Sequence, residues 1–284
     1  MPKLIALVDG SIYARSVCDH AAWIAGRTGQ PVELLHVLGC RETASVPADL
    51  SGSIALGART ALLSELATLD EQRAKLAQKR GRAILEDAKL AVEEDGVGDV
   101  TTRLRIGDLV ETVAEMEKEA GMLVIGKRGE GADFAKLHLG SNIERIVRAT
   151  HKPVFVASRA FTPVERFVIA YDGGASANRA VDCVAQSAML KGLPCTLLSV
   201  GADTAENRSR LDAPAQILRD SGYTVETLLL PGDPDEVIGA RVESEHEGLL
   251  VMGAYGHSRI RSLVIGSTTS AMVRRCKIPV LLIR

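Results

Sequence analysis

Residues 248–283 read GLLVMGAYGHSRIRSLVIGSTTSAMVRRCKIPVLLI, and the punctuation of this stretch decides the fold. It opens on a continuous apolar run, Leu249-Leu250-Val251-Met252, whose length and lack of alternation fit a strand buried on both faces of a parallel sheet. The run stops at Gly253. Gly256 follows after two residues, nine more lead to Gly266, and Ser267-Thr268-Thr269 open a helical pattern through Met272 and Val273. Glycines let main-chain N–H groups approach an anion closely, and the unpaired N–H groups of a helix start add a favourable dipole. The hydroxyls add donors. A tight turn with Ser267 as N-cap accounts for the same letters, but the conjunction of strand end, two glycine sites and hydroxyl-rich helix start favours a phosphate loop.

Working outward, the stretch has a partner earlier in the chain. GMLVIG at 121–126 matches GLLVMG at 248–253, GSNIERIVR at 140–148 matches GSTTSAMVR at 266–274, and KPV at 152–154 matches IPV at 278–280. Ile106-Gly107-Asp108 and Pro231-Gly232-Asp233 fall at the same place in each half. Around these anchors apolar runs predict strands over 4–8, 32–37, 99–106, 121–125 and 153–157, and again over 166–171, 194–200, 224–230, 249–252 and 279–283. Helical patterns fill the gaps: 13–27, 70–94, one after Asp108 and one after Gly140 in the first half, then 175–191, 206–220, 233–247 and 267–275 in the second. Leu56, Ala61, Leu63 and Leu66 add helical spacing ahead of the charged 70–94 segment, whose charges read as a solvated face. Strand–helix alternation predicts parallel sheets covered on both faces by right-handed crossovers. The expected architecture is α/β, two tandem doubly wound five-stranded parallel-sheet domains at 1–159 and 164–284.

The pattern Gly253, two residues, Gly256, nine residues, Gly266-Ser267 resembles the nucleotide loop of ATP-binding universal stress proteins. That family also carries an aspartate at the end of its first strand, and FVIAYD at 167–172 ends on Asp172. The resemblance covers essentially the whole chain as two fused domains. It implies a fold related to the adenine-nucleotide α-hydrolases and, because single-domain members commonly dimerise through their last strands, an internal pseudo-dimer. Val154-Phe155-Val156 would then lie beside Val280-Leu281-Leu282. The implied ligand is ATP. Asp172 and Asp9 map to the adenosine side, Val200 and Val37 to the adenine wall, and Met252, Gly253, Gly256, Gly266, Ser267, Thr268 and Thr269 to the loop around the phosphates, with Gly126, Gly129, Gly140 and Ser141 as first-half equivalents.

Both halves depart from the family pattern. Ten residues separate Gly129 from Gly140, and the insert carries Glu130 and Asp133, which oppose an anion by geometry and by charge. Lys127 and Arg128 are available there as cationic ligands. In the second half Gly173-Gly174 stand where the first has Gly10-Ser11, so one cap hydroxyl is missing. His257 reads either as a phosphate contact or as an exposed loop histidine, and Asp233 either as a ribose contact or as a helix cap.

Composition narrows the partners. Net charge is −2 with the signs interspersed, so no basic field gathers nucleic acid or an anionic membrane, and 3% aromatic content argues against base-stacking platforms. No apolar run approaches the ~20 residues of a membrane span, and the run at 4–8 is too short for a secretory core, so a cytoplasmic protein is expected. Five scattered cysteines lack metal or disulfide spacing, with Cys40 alone in an expected loop. No nucleophile elbow, zinc motif or Walker lysine is present. The leading expectation is an ATP-binding stress-response regulator that changes its surface toward a protein partner. A nucleotide-free interaction module and a slow ATP hydrolase, with Mg²⁺ on Asp172 or Asp233, are the competing readings. A homodimer of the whole chain stands open beside the internal pseudo-dimer.

Overall fold

The computed structural model describes residues 1–39, 56–129, 141–244, 248–254 and 267–284. The first half runs β1 (Lys3–Leu7), α1 (Ala14–Thr28), β2 (Val32–Leu38), α2 (Leu56–Glu94), β3 (Val100–Ile106), α3 (Leu109–Met116), β4 (Ala120–Gly126), α4 (Ser141–Ala149) and β5 (Val154–Ala157). The second runs β6 (Phe167–Ala170), α5 (Ala175–Gln186), β7 (Cys195–Val200), α6 (Ala205–Ser209), α7 (Asp212–Asp220), β8 (Val225–Leu230), α8 (Pro234–Ser244), β9 (Leu249–Gly253), α9 (Ser267–Arg275) and β10 (Val280–Ile283).

The ten described strands form one sheet of order β3-β2-β1-β4-β5-β10-β9-β6-β7-β8. Neighbours within each half are parallel. At the centre β5 and β10 run antiparallel, with Val156 opposite Val280, Phe155 opposite Leu281 and Val154 opposite Leu282. An antiparallel seam between two like parallel sheets is what a local two-fold axis requires. The segments expected to lie together are therefore paired strands, and each closes what would otherwise be an open edge of the other's sheet.

Side chains alternate between the two faces with the strand period of two. Leu4 and Ala6 enter the core under α1, α2, α5 and α7. Ile5 and Leu7 enter the core under α3, α4, α8 and α9. Each core runs through both halves, so the seam is packed on both faces rather than held by backbone bonds alone.

Three helices differ from expectation. The 175–191 helix stops at Gln186, and Met189 and Leu190 are buried in the turn beyond it. The 206–220 helix is two pieces, α6 and α7. Pro214 lacks an N–H, and its ring would strike the Arg210 carbonyl in a continuous helix, which accounts for the break. In the first half the charged segment belongs to a single helix of 39 residues, Leu56–Glu94. Gly81 sits inside it because a Cβ there would lie 2.8 Å from Leu104 Cδ1 and 2.9 Å from His36 Cδ2. This close approach to β2 and β3 offsets the ~1 kcal/mol that glycine costs a helix interior.

Candidate functional site

Each half reverses its strand order once. From β6 the chain moves outward to β7 and β8 and then returns to β9 on the other side of β6; β1 and β4 repeat this. In open parallel sheets the crevice at the carboxyl ends of two such strands is where ligands sit.

In the second half β6 continues through buried Tyr171 to exposed Asp172. One carboxylate oxygen of Asp172 accepts the Gly174 N–H at 2.8 Å. Gly173, at φ 78°, takes the left-handed conformation that this turn needs. Gly174 is the N-cap of α5 and offers no capping side chain, so the first-turn amides of α5 lack the side-chain oxygen that a serine would supply. Gly253 ends β9 against this same turn: a Cβ there would lie 2.5 Å from Ser176 Oγ and 2.8 Å from Ala177 N. Any larger residue forces β9 and α5 apart.

The Thr269 hydroxyl donates to the Gly253 carbonyl at 3.2 Å and ties the start of α9 to the strand end. Ser267 is exposed and Thr268 half-buried on the same first turn. Asp172, Gly253 and Thr269 are thus gathered around the start of α5. Met252 sends its side chain into the core, and Val200, the last residue of β7, packs partly buried against that core. Gly256, His257 and Gly266 lie outside the described residues. Ser176 was not singled out from the sequence; its place two residues after Gly174 was the available signal.

The first half builds a related turn differently. Asp9 accepts the Ser11 N–H at 3.0 Å, and Ser11 Oγ accepts the Tyr13 N–H at 3.3 Å. A Cβ on Gly126 would lie 2.7 Å from Tyr13 Cβ, and one on Gly129 would lie 2.9 Å from Asp9 Oδ2, so the two glycines lie close against Tyr13 and Asp9 respectively. Lys127, read as a cationic ligand for phosphate, is turned elsewhere: its ammonium donates to the carbonyl of Cys276 and, at 3.3 Å, to that of Ile278 in the second half. It is buried, and burial lowers its pKa to about 8. Val37 is partly buried on the core. Gly140 and the Ser141 side chain lie outside the described residues.

Asp233 accepts from the N–H groups of Asp235 at 2.9 Å and Glu236 at 3.4 Å, which is the helix-cap reading of that residue. Asp108, its equivalent, accepts from Val110 at 2.8 Å and Glu111 at 3.2 Å and also pairs with Arg145 at 2.9 Å. The Arg145 hydrogen bond is the leading cause that holds the Asp108 carboxyl below its ordinary range. Among the described residues no group of three or more His, Cys, Asp or Glu side chains gathers as a metal cluster. Nor is any described helix long and apolar enough to cross a membrane.

A duplicated, doubly wound α/β unit with a glycine-ended strand and an aspartate turn at each switch point defines a tandem α/β protein whose halves share one sheet. The universal stress protein family model matches residues 1–158 and again 163–284, and the chain belongs to that family. A universal stress protein of Synechocystis sp. is 36% identical over 287 residues, covering 100% of both chains. The crystal structure of a universal stress protein from Archaeoglobus fulgidus covers 99% of this chain and 98% of its own, with TM-score 0.72 and 18% identity, a likeness of fold. A shorter Archaeoglobus fulgidus universal stress protein, solved in complex with dAMP, covers 43% of this chain and 100% of its own, with TM-score 0.35 and 22% identity.

Proposed function

We propose that this universal stress protein binds ATP in the crevice of its second half and acts as a stress-response regulator through a nucleotide-dependent change in the surface it shows to a protein partner. The observation that carries this reading is the contact of Gly253 with the first turn of α5, which brings a strand end, an uncapped helix start and the Asp172 turn to one switch point. The nucleoside would lie toward Asp172 and Val200. The phosphates would lie toward Ser267 and Thr268, at the positive end of the α9 dipole, with Thr269 holding the helix start to the strand end. In the first half Lys127 is committed to the carbonyls of Cys276 and Ile278 and Gly129 lies on Asp9, which supports weaker binding there.

Calorimetric titration with ATP and Mg²⁺ tests the assignment. Asp172→Ala is expected to weaken the tighter binding event by about tenfold, roughly one charge-assisted hydrogen bond, whereas Asp9→Ala leaves it within about twofold. Unchanged affinity in Asp172→Ala removes the site. Absence of ATP binding at millimolar concentration leaves the chain as a nucleotide-free interaction module.

A further inference from the structure

Helix α2 is the largest departure from the internal repeat. It has 39 residues where the second half has α6 and α7, of 5 and 9. At 1.5 Å per residue it is about 58 Å long. Its C-terminal part is packed, with Gly81, Leu85, Ala88, Ala91 and Val92 buried, whereas no residue from 62 to 80 is. Where the packing ends, the helix stands off the sheet across a cleft of about 300 Å³ bordered by His36, Leu38, Arg73, Leu76, Arg80 and Ile84.

The unpacked part does not have the sequence of a merely solvated helix. Leu62, Leu66, Leu69, Arg73, Leu76, Arg80 and Ala83 alternate at spacings of four and three, the seven-residue repeat of a coiled-coil seam. Along that seam Leu69 is 50% exposed and Leu76 68% exposed. The charges are segregated as well. Residues 62–71 hold Glu65, Asp70 and Glu71 and no lysine or arginine; residues 72–82 hold Arg73, Lys75, Lys79, Arg80 and Arg82 and no acid.

A helix that is acidic at one end and basic at the other is complementary to its own reverse. Laid antiparallel about a two-fold axis near Glu71, it sets Leu66 against Leu76 of the second copy, packs the stems of Arg73 and Arg80 against Leu69 and Leu62, and brings Glu65 beside Lys79 of the second copy. The two helix dipoles also oppose each other. Such an isologous contact closes on itself and gives a dimer rather than a filament. We infer that residues 62–83 of α2 form an antiparallel two-stranded coiled coil with the same segment of a second copy, so that the protein is a dimer of tandem chains. This surface is independent of the nucleotide crevice.

Sedimentation equilibrium of the full chain at about 50 µM, where a moderate coiled coil is populated, tests the inference. The wild type is expected at twice the chain mass, and Leu69→Gln with Leu76→Gln at the single-chain mass with an unchanged circular dichroism spectrum. Glu65→Lys and Lys79→Glu each weaken the dimer by about tenfold, because each places like charges together in both halves of the symmetric contact. The two changes combined restore it, since the reversed pair is again complementary. A monomeric wild type, a dimer indifferent to the leucine changes, or a charge swap that fails to recover the dimer overturns the inference. So does a monomer that co-sediments with phosphatidylglycerol vesicles through its basic residues, for that makes α2 a membrane face.

Discussion

At the switch point of the first half Gly126 meets Tyr13, and at that of the second Gly253 meets Ser176. The two contacts occupy one place in the repeat and differ in chemistry: the base of an aromatic side chain fills the first, whereas the Ser176 hydroxyl and the Ala177 amide nitrogen line the second. The next residue carries the difference further. Lys127 reaches across the seam to two carbonyls, while Ala254, its equivalent, merely donates its N–H to the Ile283 carbonyl at 2.7 Å. On α1, His20 is fully buried, its ring centroid 5.3 Å from that of Phe155 and 5.0 Å from that of Phe161 in the connecting segment. Its counterpart Cys183 is half-buried. The duplicated scaffold has thus been specialised, the first half toward holding the pair together and the second toward leaving polar groups at its crevice.

The largest effect should come at the seam itself. Phe155 and Leu281 face each other across the antiparallel pair and are 0% and 1% exposed. Phe155→Ala is expected to cost about 4 kcal/mol and Leu281→Ala about 3 kcal/mol, by loss of buried surface and creation of a cavity. Because each core passes through both halves, urea unfolding followed by Trp23 fluorescence, which reports the first half, should coincide with unfolding followed by far-ultraviolet circular dichroism. Separate transitions would mean that the halves are independent units joined only by backbone bonds.

Acid should then reveal the specialised first half. His20 Nδ1 lies 2.6 Å from the Ser16 carbonyl, and its Nε2 is buried with no hydrogen-bond partner among the described residues. Burial lowers its pKa from 6.5 to about 4. The unfolded chain therefore binds a proton that the folded chain refuses, and stability is whole above about pH 6.5 and falls as pH drops toward 4. The loss attributable to His20 is on the order of 3 kcal/mol, from the 1.36 kcal/mol carried by each pKa unit. Denaturant midpoints of the wild type and His20→Leu, measured at pH 7 and pH 4.5, check this; parallel losses in the two proteins would clear His20 of any part in acid unfolding.

Much of this was legible in the sequence. Unbroken apolar runs such as 121–125 and 249–252 can bury both faces only inside a parallel sheet, and their duplication gave the two-fold plan. Asp172, Gly253 and Thr269 were legible because a turn carboxylate, a close-approach glycine and a helix-start hydroxyl each leave a local mark. The break at Pro214 was also legible, yet the apolar periodicity around it masked the missing N–H. Two features had no local mark. The destination of Lys127 depends on carbonyls 149 and 151 residues away, and a lysine between glycines looks the same whether it faces a phosphate or a neighbouring domain. The continuity of α2 through residue 70 was hidden because the dense charges from Asp70 onward read as a separate helix with a solvated face.

The smallest expected difference lies at the two helix caps. Asp108 and Asp233 cap α3 and α8 alike, and replacing either by alanine should cost about 1 kcal/mol. Only Asp108 has the additional Arg145, because Ala271 stands at the equivalent place in α9. Both partners of that pair are more than a third exposed, so solvent screening holds its worth below about 0.5 kcal/mol. Arg145 keeps the Asp108 carboxyl below its ordinary 3.8, so the pair's contribution is whole above that pH and fades as pH falls through the lower folded value. A double-mutant cycle over Asp108→Ala and Arg145→Ala, run at low and high salt, isolates the term. A coupling energy above about 1 kcal/mol that survives molar salt would show the pair to be structural rather than peripheral, and would add a third interaction by which the first half is built more rigidly than the second.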